Sequence, residues 1–168
     1  MNNIDTPVNT LYESILKIAQ SHPSEFAYIF ENSKVTYKKF LESINCCAKS
    51  LKALGIKNGD AVTIVMPNCP QALEMFYAIN CIGGIANMVH PLSSEKEIEF
   101  FINITKSRLV LVLDVFANKA FNAAKGSTAE KLIVTSISDV LMPMQKIAYT
   151  LSNKKVDLCF TDDKNVIT

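Results

Sequence analysis

An α/β fold is predicted by this sequence: a mostly parallel sheet with helices on both faces, preceded by a β-hairpin. Three observations carry it. Residues 60–92 read strand, helix, strand, which is the unit that makes a parallel pair by a crossover connection. The runs at 61–66 and 109–113 are continuously apolar and too short for buried helices, as expected of strands covered on both faces. Strand and helix patterns then alternate along most of the chain, the signature of helices layered on a parallel sheet.

The elements follow in order. Residues 9–20 form a helix with Leu11, Ile15, Ile18 and Ala19 at helical spacing, ended by His22-Pro23. Residues 26–30 and 35–37 are the two strands of a hairpin, with 31–34 as a four-residue turn. Thr36 caps a long helix whose apolar stripe runs from Tyr37 through Phe40, Ile44 and Leu51 to Leu54; Gly55 stops it. Asn58-Gly59-Asp60 turns into the strand at 61–66. Pro67-Asn68-Cys69-Pro70 breaks that strand. Asn68 is the expected N-cap of a buried helix over 70–82, with Gln71 bonding back to it. Gly83-Gly84 ends this helix, and 85–89 is the next strand, closed by His90-Pro91. Ser94 and Glu97 fit a capping box ahead of Ile98, Phe101 and Ile102. A strand at 109–113, a helix at 115–125 stopped by Gly126, and a strand at 131–135 complete the regular pattern. Residues 1–135 are thus one α/β unit. Residues 136–168 read as a weak helix over 137–151, disturbed by Pro143, and then a linker or tail.

Composition narrows the function classes. The hydrophobic fraction is 49% and the net charge +1, which fits a globular domain and offers no basic stripe for nucleic acid. The most apolar region, 75–92, is interrupted by Asn80, two glycines, Asn87 and His90, so no transmembrane segment is expected. The polar opening residues do not resemble a secretion signal. Five cysteines without CxxC pairing read as buried free thiols in the cytoplasm, with no metal site.

The chemistry-bearing residues are sparse. A dinucleotide loop would need glycines after the strand at 61–66, where Pro67-Asn68-Cys69-Pro70 stands. Residues 125–131 imitate a phosphate loop but have one glycine and lie between a helix and a strand; a polar loop is the expected role. His90 lies just past the carboxyl end of a parallel strand, where open α/β sheets bind ligands, and is the candidate ligand-lining residue. Asp114 ends another strand and is expected to cap the following helix. No catalytic residue, cofactor-binding residue or metal ligand is assigned.

Taken together, the ordered segments resemble the N-terminal part of the adenylate-forming (AMP-binding) ligases, the family of acyl-CoA synthetases, luciferases and peptide-synthetase adenylation domains. Val35-Thr36-Tyr37-Lys38-Lys39-Phe40 is similar to that family's first core motif. The segment from Leu51-Lys52-Ala53-Leu54-Gly55 to Asn58-Gly59-Asp60-Ala61-Val62 resembles its turn into a strand. Met66-Pro67-Asn68 with Glu74 resembles its next step, and Tyr77 to Asn87, with Gly83-Gly84, its second core motif. His90-Pro91-Leu92 stands where many members have Asn-Pro. The resemblance covers residues 10–135. It implies an AMP-dependent acid–thiol ligase acting in fatty acid metabolism, with ATP, Mg and CoA as requirements of the intact parent. It also implies that the phosphate-binding loop and catalytic lysine lie in a C-terminal part that follows these residues. A chain consisting of this portion alone is expected to be inactive and, with its apolar faces bared, to form a homo-oligomer. The alternative is a non-catalytic truncated module that binds a protein partner or an acyl carrier. An independent small nucleotide-binding protein is disfavoured by the absent phosphate loop.

Overall fold

The computed structural model describes residues 10–141 and 165–167. A five-stranded parallel sheet has the order β4-β3-β5-β6-β7, and a separate hairpin pairs β1 with β2. The strands are β1 (Phe26–Phe30), β2 (Ser33–Thr36), β3 (Ala61–Val65), β4 (Ile85–Val89), β5 (Leu109–Leu113), β6 (Lys131–Thr135) and β7 (Val166–Ile167). The helices are α1 (Leu11–Ser21), α2 (Tyr37–Ala53), α3 (Pro70–Cys81), α4 (Glu95–Thr105) and α5 (Ala117–Lys125). The four strands expected at 61–66, 85–89, 109–113 and 131–135 are all present and all parallel.

Side-chain alternation divides the core between the two faces of the sheet. Val62, Ile64 and Met66 from β3 and its end, with Leu109, Leu111 and Leu113 from β5, pack under α2 and α3. Val65, Val110 and Val112 point the other way and meet Ile98, Ile102, Ala120 and Phe121 of α4 and α5. Every residue of β3 and β5 is buried, which is why these two strands read as unbroken apolar runs. Between sheet and α4 lies a closed polar network. Thr63 donates to Ser107 at 2.8 Å, and Asn87 Nδ2 donates to Thr63 Oγ1 at 2.9 Å and to the Phe101 carbonyl at 3.1 Å. Thr63 and Ser107 are fully buried, so these bonds replace the water each hydroxyl lost.

The caps at Thr36, Ser94 and Thr10 form as side-chain chemistry dictates. Thr36 Oγ1 accepts from the Lys39 amide, and both reciprocal boxes, Ser94 with Glu97 and Thr10 with Glu13, are closed. Four expectations need correction. The hairpin turn spans two residues, Glu31 and Asn32, because Phe30 pairs directly with Ser33; Glu31 takes φ 45°, the left-handed backbone that a two-residue hairpin turn demands. Asn68 does not cap α3. Proline favours the first helical position, so Pro70 becomes that residue and Cys69 the cap, without a side-chain bond. The helix expected at 115–125 starts with a 3-10 turn, Asp114–Phe116, before α5. Within the stretch read as a tail, Val166–Ile167 adds a fifth strand beside β6. The short turn Ile137–Val140 is 3-10, and the rest of the helix expected to residue 151 lies outside the described residues.

At the amino ends of the strands, Arg108 ties three segments together. Its guanidinium donates to Asp60 at 2.7 Å, to the Gly55 carbonyl at 3.0 Å and to both carboxylate oxygens of Glu130 at 2.7 and 3.0 Å. The Lys57 amide and then Arg108 hold the Asp60 carboxyl below its ordinary range; Arg108 does the same to Glu130. A carboxylate whose folded pKa is depressed adds stability above its unfolded pKa and loses it as pH falls through the folded value. Arg108→Leu is therefore expected to lower the melting temperature most at pH 7. Its deficit should narrow as pH falls through the depressed values of the two carboxylates, leaving the part owed to the Gly55 carbonyl bond, read by thermal melts across pH.

Candidate functional site

The chain reverses across the sheet at β3. The α3 crossover carries it to β4 on one side, and the α4 crossover carries it back past β3 to β5 on the other. Open α/β sheets bind ligands at the carboxyl ends of strands flanking such a reversal. Here that rim is built from residues 66–70 after β3, 90–92 after β4 and 114–116 after β5.

Two adjoining cavities open on it. One, of about 380 Å³, is lined by Met66, Pro67, Asn68, Met88, His90 and Pro91, with Val89. The other, of about 280 Å³, lies between the hairpin and the first turns of α3; its walls include Tyr28, Phe30, Cys69, Leu73, Phe76 and Met88. Asn68 and Met88 line both. Release of Asn68 from the cap role leaves its amide exposed at this junction.

His90 lines the first cavity and is exposed, as its place past β4 predicts. Its Nδ1 accepts from the Leu92 amide at 3.2 Å, a bond that shapes the loop. The same loop is pinned from the far side of the sheet by Lys119, whose Nζ donates to the Pro91 carbonyl at 2.6 Å. Asp114 is brought to the same rim, where its Oδ1 accepts from the Val115 amide at 2.8 Å. It starts the 3-10 turn, while the N-cap of α5 is Phe116.

Two residues matter here that the sequence reading did not assign. Gln71, expected to bond back to Asn68, instead donates from Nε2 to the Ser136 carbonyl at 2.8 Å, tying α3 to the end of β6. Its Oε1 is buried and has no hydrogen-bond partner among the described residues. Its signal was a polar residue in the first turn of a helix whose buried face is mostly apolar. Glu74 is half-buried beneath the hairpin and accepts from the Tyr28 hydroxyl at 3.0 Å. Burial raises its pKa, against the bonds from Tyr28 and Ser43. Burial, and then the charge of Glu74, pushes the Cys47 thiol up to about 11. A carboxyl whose folded pKa is raised is penalised above that value, and stability grows as pH falls toward the unfolded pKa. Glu74→Gln keeps an acceptor for Tyr28 without the charge. It should melt at an equal or higher temperature at pH 7.5, with the difference vanishing near about pH 4.

The rim does not fit a magnesium–polyphosphate group. The lining of the first cavity has two prolines, which donate no backbone N–H, two methionines and no lysine or arginine. The loop at 125–131 spends its donors internally: Ser127 Oγ on the Ala124 carbonyl, the Thr128 amide on Asn103, and Thr128 Oγ1 on the Ser107 carbonyl. Lys125 lies over the Phe121 ring, 4.3 Å from its centroid. Among the described residues, no three His, Cys, Asp or Glu side chains cluster as metal ligands, and no helix is long and apolar enough to cross a membrane. Cys69 is buried, Cys47 and Cys81 are half-buried, and Cys46 is exposed, which departs from the expectation that the thiols are buried.

Comparison with known proteins places this architecture. The family model for the AMP-binding enzymes matches residues 16–165. The long-chain-fatty-acid–CoA ligase of Bacillus subtilis is 29% identical over 168 residues, 99% of this chain and 30% of that protein. Acetyl-coenzyme A synthetase 1 of Candida glabrata is 32% identical over 114 residues, 64% of this chain and 16% of its own length. Among solved structures, the R395G form of coronafacic acid ligase from Pectobacterium brasiliense superposes with a TM-score of 0.75 at 21% identity, over 94% of this chain and 28% of that one. The N-terminal subdomain of Klebsiella oxytoca NpsA superposes with a TM-score of 0.59 at 24% identity, over 61% and 27%. The chain thus spans about a third or less of each of these four proteins, and over that span it belongs to the AMP-binding enzyme family, with the parallel α/β fold of the adenylate-forming ligases.

Proposed function

We propose that this chain is the N-terminal portion of an AMP-forming acid–thiol ligase of the acyl-CoA synthetase type. In that reaction a carboxylate oxygen attacks the α-phosphorus of ATP, and the bond to the departing pyrophosphate breaks. A thiol, CoA in the acyl-CoA ligases, then attacks the acyl carbon and AMP leaves. One observation carries the reading. The family match runs through β1 to β6, yet the chain covers 30% of the acyl-CoA ligase aligned along nearly all of it.

The division of labour follows from the rim. Its proline-rich, lysine-free lining supports a scaffold and ligand-wall role for these residues, with His90 and Asn68 facing the cavity. Handling of polyphosphate charge, with its Mg²⁺, falls to the remainder of the ligase, which is the partner this portion packs against. The names of the relatives favour an acyl substrate and a place in fatty acid metabolism. The free thiols of Cys46, Cys47, Cys69 and Cys81 suit the reducing cytoplasm. Sequencing the gene past codon 168 tests the reading. A frame that continues into a Gly/Ser/Thr-rich loop with a lysine is expected; a natural stop codon would favour the non-catalytic module.

A further inference from the structure

The geometry points to the free edge of β4, with the adjoining flank of α4, as a seam on which a second copy of this chain docks by antiparallel strand pairing. Among the described residues β4 ends the sheet. The Ile85 amide donates inward, to the Asp60 carbonyl at 2.9 Å. By strand alternation the N–H and C=O groups of Ala86 and Met88 therefore face outward, toward the open edge. Natural edges are guarded by lysine, proline or a bulge; Ile85-Ala86-Asn87-Met88-Val89 has none of these, and its register with β3 is unbroken.

The edge matches its own copy. An antiparallel pair about a two-fold axis at Asn87 sets Ala86 opposite the partner's Met88 and Met88 opposite the partner's Ala86. Those are the outward-facing groups, so four backbone hydrogen bonds can close. The same register puts a small side chain opposite a large one on one face. On the other it puts Ile85 opposite the partner's Val89. Ile85 and Met88 are 54% and 49% exposed as the chain stands alone.

The helix above supports the same seam. One flank of α4 is occupied by α5 and its loop: Glu95 bonds Asn122, and Asn103 bonds the Thr128 amide. The opposite flank carries Phe101 and Ile104, with Phe100 beside them, all exposed. The Asn87 amide holds the Phe101 carbonyl, which sets that flank level with the proposed axis. Because α4 lies over β3 and β4, strands about 4.8 Å apart place it roughly 5 Å from the axis. The two copies of α4 then sit about 10 Å apart, the packing distance of helices. A stable pair needs roughly 800 Å² per partner, which this seam would draw from the β4 edge with Ile85 and Met88 and from the exposed Phe101 and Ile104 of each α4.

Sedimentation velocity from about 1 to about 200 μM tests the seam, joined by amide exchange at both ends of that range. The expected result is conversion to a dimer, with the Ala86 and Met88 amides slowing as concentration rises. Met88→Lys and Ile104→Lys, both at exposed positions, should each weaken association at least about tenfold, while Val115→Lys, exposed beyond β5, should not. A monomer persisting throughout would overturn the proposal and leave the edge to another segment of the ligase. A dimer indifferent to both lysines, with Ala86 and Met88 still exchanging fast, would overturn it as well.

Discussion

Leu111→Ala is expected to lower the unfolding free energy by about 3 kcal/mol. Leu111 lies at the middle of β5, the central strand, and is 1% exposed. It packs in the cluster that includes Ile64, Leu51 and Ile79. Strands on both sides hold the backbone, so the sheet cannot collapse into the vacated volume, and the cavity term adds to the lost transfer energy. Urea unfolding followed by circular dichroism reads the effect as a fall in midpoint at constant slope. Ile104→Ala, the same loss of methylenes at a 65% exposed position on α4, should stay within about 0.5 kcal/mol. Equal costs at the two sites would mean that the sheet core is not where the structure puts it.

Gly84→Ala should cost about 2 kcal/mol or more, although its backbone is one an alanine could adopt. An added Cβ would stand 2.9 Å from Ile79 Cγ2 and 3.1 Å from the Asp60 carbonyl oxygen. Neither can yield cheaply. Ile79 is fully buried, and the Asp60 carbonyl accepts the Ile85 amide that begins the β3–β4 ladder. Gly55→Ala is the comparison. There φ is 87° but nothing lies within 4 Å of an added Cβ, so only the left-handed backbone is strained, at about 1–2 kcal/mol. Denaturant midpoints of the two variants separate crowding from backbone strain. The paired glycines are thus two devices: Gly83 reverses the chain at φ 74°, and Gly84 lets two loops touch.

What was readable in the sequence is what depends on short-range pattern. Fully buried strands such as β3 and β5 give apolar runs, and Thr36 and Ser94 announce their helices because capping is settled within four residues. Asn68 misled because two capping signals competed within three positions, and the fixed φ of Pro70 outweighed the amide of Asn68. β7 was missed because two residues carry no period; only pairing with β6, more than thirty residues earlier, makes them a strand. Of the rim, the position of His90 past the carboxyl end of β4 was legible from strand-end logic alone. The roles of Gln71 and Glu74 depend on Ser136 and Tyr28, contacts at separations of 65 and 46 residues that no local pattern encodes.

The central claim is that this α/β portion carries the scaffold of an adenylate-forming ligase while the charge-handling chemistry lies elsewhere in the protein. Pyrophosphate exchange into ATP by the purified chain, across a panel of short-, medium- and long-chain acids with Mg²⁺, tests it most directly. The account predicts no exchange above background with any acid, from a chain whose circular dichroism shows it folded. Robust acid-dependent exchange by the same chain would contradict it, and would require donors among residues 1–168 that act on polyphosphate.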